Sequence, residues 1–247
     1  MNGIGKLTLT DIRLYLREPI GTFFTLVFPA MLVLLFGAIY GNKPMEIFGG
    51  YGSMDISMPG YTAMILATVG LLSIPITTAN YRENGVLRRF KVTPLKPLTY
   101  IVSDLTANLL ATILGMLGIV LLGWLLFHVR FEGQVWAVAF ALIYCFLAMA
   151  AVGYLIASLA PGPRAAQVIG LAILYPMLFL SGAGMPIEIL PESMQKIANF
   201  LPLYYVVKLL RGAWFGTPLS EMWLSILILG IMLVVCGGIA TRLFKWD

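Results

Sequence analysis

Long apolar runs, each free of charge and separated by short polar segments, organise this chain. They lie at Pro19–Asn42, Ile56–Tyr81, Leu105–Val129, Gly133–Pro163, Ala165–Ile187 and Met222–Thr241. A helix needs about 20 apolar residues to cross the hydrocarbon layer. The pattern therefore predicts six transmembrane helices, at about 20–40, 58–80, 101–127, 135–160, 166–183 and 220–241. The fourth run exceeds one crossing and calls for tilt or an extension beyond the bilayer. Both termini then fall on the same side.

Three shorter patterns fill the spaces between spans. Thr8-Leu9-Thr10-Asp11 matches a capping box. Leu9, Ile12, Tyr15 and Leu16 share a helical face beside Arg13 and Arg17, so residues 8–18 read as an interfacial helix that Pro19 ends. A plain polar leader is the other reading. Between spans five and six, Pro191 and Pro202 each open a short amphipathic stretch, and Arg211-Gly212 closes the second. Between spans two and three lies Tyr81–Pro97, YRENGVLRRFKVTPLKP. There Val86, Leu87 and Phe90 share one face, Arg88 and Lys91 point away, and Thr93-Pro94 stops the helix. Pattern alone leaves two readings of this segment: a topogenic anchor, or a short helix parallel to the membrane that meets a partner.

Composition agrees with the spans. The 247 residues are 60% hydrophobic and only 11% charged, against roughly 25% charged in soluble domains. The chain is an all-α integral membrane protein, with residues 1–247 as one transmembrane domain. The net charge of +5 invites a nucleic-acid partner, but the cations follow topology instead. With the termini in the cytoplasm, eleven of the sixteen Lys and Arg residues lie inside, as the positive-inside rule requires. Acids divide five inside and six outside. Cys145 and Cys236 sit within apolar runs, with no metal or pairing spacing, and read as packing residues. His128 reads as interfacial.

Within the spans the one ionisable candidate for ion coupling is Asp104, with Asn108 one turn on. Asp104 is also explained as an anchor near a helix start. An ion-coupled carrier or channel, and a structural scaffold, remain alternatives at this point. No Gly-x-x-x-x-Gly-Lys-Ser/Thr occurs, so no phosphate-cradling loop is present.

Three stretches decide between these classes. YRENGVLRRFKVTPL resembles the Arg-Glu-x-Gly-x-Leu-x-Arg … Thr-Pro-Leu motif of the membrane subunits of type 2 ABC exporters. LYLREPIGTFFTLVFPAMLVLLFGAIYG is similar to that family's first segment. FLSGAGMPIEILPESMQKIANFLPLYYVVKLLRGAWFG is similar to the family's order of Ser-Gly, a Pro, Leu-Pro, Asn/Leu-Pro and Arg-Gly, with Leu201-Pro202 where Asn-Pro is commoner.

The resemblance implies a permease that exports a hydrophobic or amphiphilic cargo by alternating access, with polysaccharide or glycolipid export as the alternative. It implies that 81–93 is a coupling helix, with Arg82, Glu83, Gly85, Leu87, Arg88 and Arg89 meeting a separate ATPase subunit, present in two copies. ATP and Mg would bind there and no cofactor on this chain, which is no enzyme by itself. A second permease copy, identical or related, is implied, as are a bacterial cell membrane and re-entrant helices over 184–216. The cargo path would run between spans two and five. It would use Met64, Thr68, Leu72, Thr77 and Asn80, then Leu171, Tyr175, Met177, Leu178 and Phe179, with Pro176 as a hinge.

Overall fold

A computed structural model describes residues 19–86 and 97–243. The interfacial helix expected at 8–18, and residues 87–96 of the charged segment, lie outside the described residues.

The six apolar runs are six helices long and apolar enough to cross a membrane. They are α1 (Phe23–Tyr40), α2 (Ser53–Glu83), α3 (Pro97–Phe127), α4 (Val135–Leu159), α5 (Pro163–Leu180) and α8 (Trp223–Leu243). Two short helices, α6 (Glu192–Ala198) and α7 (Pro202–Trp214), occupy the link between α5 and α8. Helix α6 begins just after Pro191 and α7 at Pro202 itself; α7 runs past Arg211-Gly212, expected to close it, to Trp214.

These helices do not share burial equally. Along α2, 89% of the apolar stretch is buried, against 17% along the stretch containing α8. Helix α2 is the axis of the bundle, with α1, α3, α4, α5 and α7 packed around it. The core consists of its Met64, Leu66, Leu71 and Ile74, interleaved with Phe146 and Met149 of α4 and Leu174 of α5. Outward-facing side chains are apolar as well, among them Leu117 and Trp124 of α3 and Val234 of α8. Acyl chains, not water, solvate such a surface.

Near its middle, α2 loosens into a π-type turn at Val69–Ser73. Such turns displace carbonyls from the regular ladder. Two glycines fit against them. A Cβ at Gly153 of α4 would lie 2.2 Å from the Gly70 carbonyl oxygen, and one at Gly170 of α5 would lie 2.1 Å from that of Leu71. Only glycine permits either approach, so α4 and α5 both press directly on the α2 backbone.

Helix α2 begins at Ser53, earlier than the uncharged run, because Asp55 belongs to its first turn. The Asp55 carboxylate accepts the Gly52 N–H at 3.0 Å, the Asn42 side-chain amide at 2.8 Å and the Arg130 N–H at 2.8 Å. The Asn42 side-chain carbonyl in turn accepts the N–H groups of Met54 and Asp55, each at 3.1 Å. The Trp214 indole N–H donates to the Arg130 carbonyl at 2.9 Å. A carboxylate suits the positive end of a helix, and charge-assisted bonds allow its burial. The α1–α2 loop, the α3–α4 loop and α7 are thereby fastened to one end of α2.

Candidate functional site

Met64, Thr68 and Leu72 of α2 and Leu171, Tyr175, Leu178 and Phe179 of α5 line one groove of about 160 Å³. The structure thus brings together most of the residues expected along the path. Three others lie elsewhere. Met177 packs towards the core. Thr77 is absent from the groove wall. Asn80 is exposed near the end of α2, where its side-chain carbonyl accepts the Asn84 amide at 2.8 Å. Helix α5 continues through Pro176 to Leu180.

The third wall of the groove was not anticipated. It is Phe24, Phe28, Leu32 and Phe36 of α1. Phe24 and Phe28 meet edge to face, with ring centroids 5.4 Å apart. Their four-residue spacing was a visible signal of a shared face, but spacing does not say which way that face points. The Thr68 hydroxyl is turned back to the Met64 carbonyl at 2.9 Å. The groove therefore presents aliphatic and aromatic carbon, with the Tyr175 phenol as its ionisable group. It can hold an acyl chain or a flat apolar ring system, and it offers nothing for bond-breaking chemistry.

A larger crevice, of about 430 Å³, lies between α3 and α4, lined by Leu117, Trp124 and Ile143 among others. None of the expected path residues borders it, and Leu117, Trp124 and Ile143 belong to the exposed apolar surface.

At the opposite end of α2 from Asp55, the last turn carries Arg82 and Glu83. The Arg82 guanidinium donates to the Ala157 carbonyl at 2.9 Å and also to the Ala160 carbonyl. These oxygens close the C-terminal end of α4, where the helix dipole is negative and the last carbonyls lack intrahelical partners. Arg82 thus ties α2 to the α4–α5 turn. Glu83 is exposed beside that turn: a Cβ at Gly162 would lie 3.2 Å from its carboxylate oxygen. Gly85 turns the chain with φ of 66°. Of the remaining residues expected to meet an ATPase, Leu87, Arg88 and Arg89 lie outside the described residues. Tyr81–Glu83 form the final turn of α2 and continue it without a break.

A polar cluster sits inside the bundle. The Asp104 carboxylate accepts the Tyr154 hydroxyl at 2.6 Å and the Asn108 amide at 3.1 Å. Ser73, in the π-type turn of α2, donates to the Asn108 carbonyl at 3.4 Å. Helix α3 starts at Pro97, so Asp104 lies beyond its first turn. The dipole at a helix start therefore does not account for it. Its partners do, and they join α2, α3 and α4 at one depth.

Residues 4–215 match the family model described as ABC-2 type transporter. Over 99 residues the chain is 37% identical to Nodulation protein J of Rhizobium leguminosarum bv. viciae, covering 40% of this chain and 38% of that protein. Over 235 residues it is 23% identical to the Putative transport permease YvfS of Bacillus subtilis (strain 168), covering 93% of this chain and 91% of the relative. Over 190 residues it is 22% identical to the Probable multidrug ABC transporter permease YbhR of Escherichia coli (strain K12), covering 76% and 51%. The match to Nodulation protein J thus spans less than two fifths of that relative's length.

Proposed function

The chain belongs to the ABC-2 type transporter family, and from that premise we propose that it is an exporter permease driven by a separate ATPase subunit. Its cargo is a hydrophobic or amphiphilic molecule moved outward by alternating access. A relative named a multidrug permease and an apolar groove between α1, α2 and α5 both support that reading.

One observation carries it. The buried axis α2 supplies one wall of the groove and ends in the charged segment. A partner bearing on residues 81–93 would push on the last turn of α2. Through Arg82 the push would reach the α4–α5 turn and so α5, which forms the facing wall. One docking event would then move two walls. Pro176, inside α5, is the proposed hinge.

The energy must come from outside this chain. Shifting a two-state equilibrium from 1:99 to 99:1 takes about 5.5 kcal/mol of differential binding, and the sequence contains no phosphate-binding loop. ATP and Mg belong to the partner subunit, of which two copies act on two permeases, identical or related, facing across the path. The Arg82 end of the bundle is cytoplasmic by the positive-inside rule, and the membrane is the bacterial cell membrane.

The test is Glu83→Ala in a complex with the cognate ATPase. Transport-coupled ATP hydrolysis should fall while insertion into the membrane is unchanged. Unaltered coupling would remove Glu83 from the interface.

A further inference from the structure

A third cavity, of about 440 Å³, lies where the link after α5 meets α7. This falls within the roughly 300–1,000 Å³ of small-molecule sites. Ser181, Glu188, Tyr204, Lys208, Arg211 and Glu221 give it a polar wall.

Two atoms of that wall are buried without a partner: the Ser181 hydroxyl oxygen and Oε2 of Glu188. Ser181 is fully buried. The other Glu188 oxygen accepts from the Arg211 guanidinium. An orphaned buried polar atom costs roughly 1–3 kcal/mol, so two in one cavity point to a group that completes them. Oε2 needs a donor. The hydroxyl can donate or accept.

Charge narrows the choice. Glu188 and Glu221 balance Lys208 and Arg211, leaving no net formal charge around the cavity. Arg211 is already paired with Glu188, while Lys208 and Glu221 are exposed at the rim. A phosphate would meet two carboxylates, and a metal ion would meet two cations. Tyr204 lies in the same wall, and burial, with Tyr205 and Glu188 next, raises its phenol above the ordinary range, so it stands as an O–H donor. Donors and acceptors are interleaved with no net formal charge, which is the complement of a neutral polyol.

We propose that this cavity binds a neutral, polyhydroxylated head group of the sugar type. A ligand hydroxyl donates to Oε2 of Glu188, and a neighbouring one pairs with Ser181. The link that supplies Ser181 and Glu188 also supplies Gly184 and Met185 to the apolar groove. Resting on the exporter reading, the groove takes the tail of a glycosylated amphiphile and this cavity its head.

The test needs no ATPase. The full chain in phosphatidylcholine nanodiscs is probed with methyl α-glucoside by saturation-transfer NMR. Transfer to the sugar protons is expected, with affinity reduced roughly tenfold by Glu188→Gln and also lowered by Ser181→Ala. Val234→Ala, on the outward apolar face of α8, should bind the sugar as the parent does. Absence of transfer to the folded parent chain overturns the proposal. So does equal binding by both cavity variants, or displacement of the sugar by inorganic phosphate or phosphocholine. Failure here leaves the exporter reading standing, and failure of coupling leaves this site standing.

Discussion

The two ends of α2 are held in opposite ways. At the Asp55 end a buried carboxylate and the Asn42 amide satisfy the helix start and fasten two loops and, through Trp214, α7. At the Arg82 end one guanidinium spans to the α4 carbonyls, and the next residue, Glu83, is exposed. A networked end resists displacement because several bonds must break together. A single flexible side chain transmits displacement while tolerating a change of angle. On the proposed function, that difference would make the Asp55 end the pivot and the Arg82 end the handle of one long rod. The groove and the glycine contacts with α4 and α5 lie between them.

Removing the pivot should have the largest effect on stability. Asp55→Ala leaves the Gly52 and Arg130 N–H groups without their acceptor, and the Asn42 amide with only the Phe127 carbonyl. The expected loss is about 3 kcal/mol or more, read as a lower thermal unfolding midpoint of the purified chain in detergent. Asp55→Asn keeps the shape and should recover part of it. An unchanged midpoint in Asp55→Ala would show that this end is not the fixed one.

Releasing the handle should cost far less stability and much more function. Arg82→Ala removes two bonds to a helix end, worth about 1 kcal/mol. ATP hydrolysis by the assembled complex should continue, while transport per ATP falls several-fold. Arg82→Lys keeps the charge but loses the planar fork that reaches both carbonyls, so its coupling should fall between the two. Equal transport per ATP in all three proteins would remove Arg82 from the path of transmission.

Much of this was legible in the sequence. Bilayer thickness sets the length of a span, so the six runs located the six helices without any knowledge of packing. Pro191 and Pro202 marked the two short helices because proline tolerates a helix start. What escaped depended on rotation and on partners distant in the chain. Asp55 looked like a boundary because a charge normally ends a span, and its capping role needs Asn42 and Arg130 beside it. The aromatic wall of α1 depends on which face meets α2. The motif that points outward in the family resemblance includes Arg82, whose guanidinium turns inward, because the α4 end lies within its reach.

The central claim is that a separate ATPase moves this chain. Transport of a fluorescent amphiphile into inside-out proteoliposomes measures it most directly, with the chain alone and with its ATPase subunit, with and without ATP. Uptake should require both subunits and ATP, and should be indifferent to an imposed proton or sodium gradient. Uptake by the chain alone under such a gradient would contradict the account and make it an ion-coupled carrier.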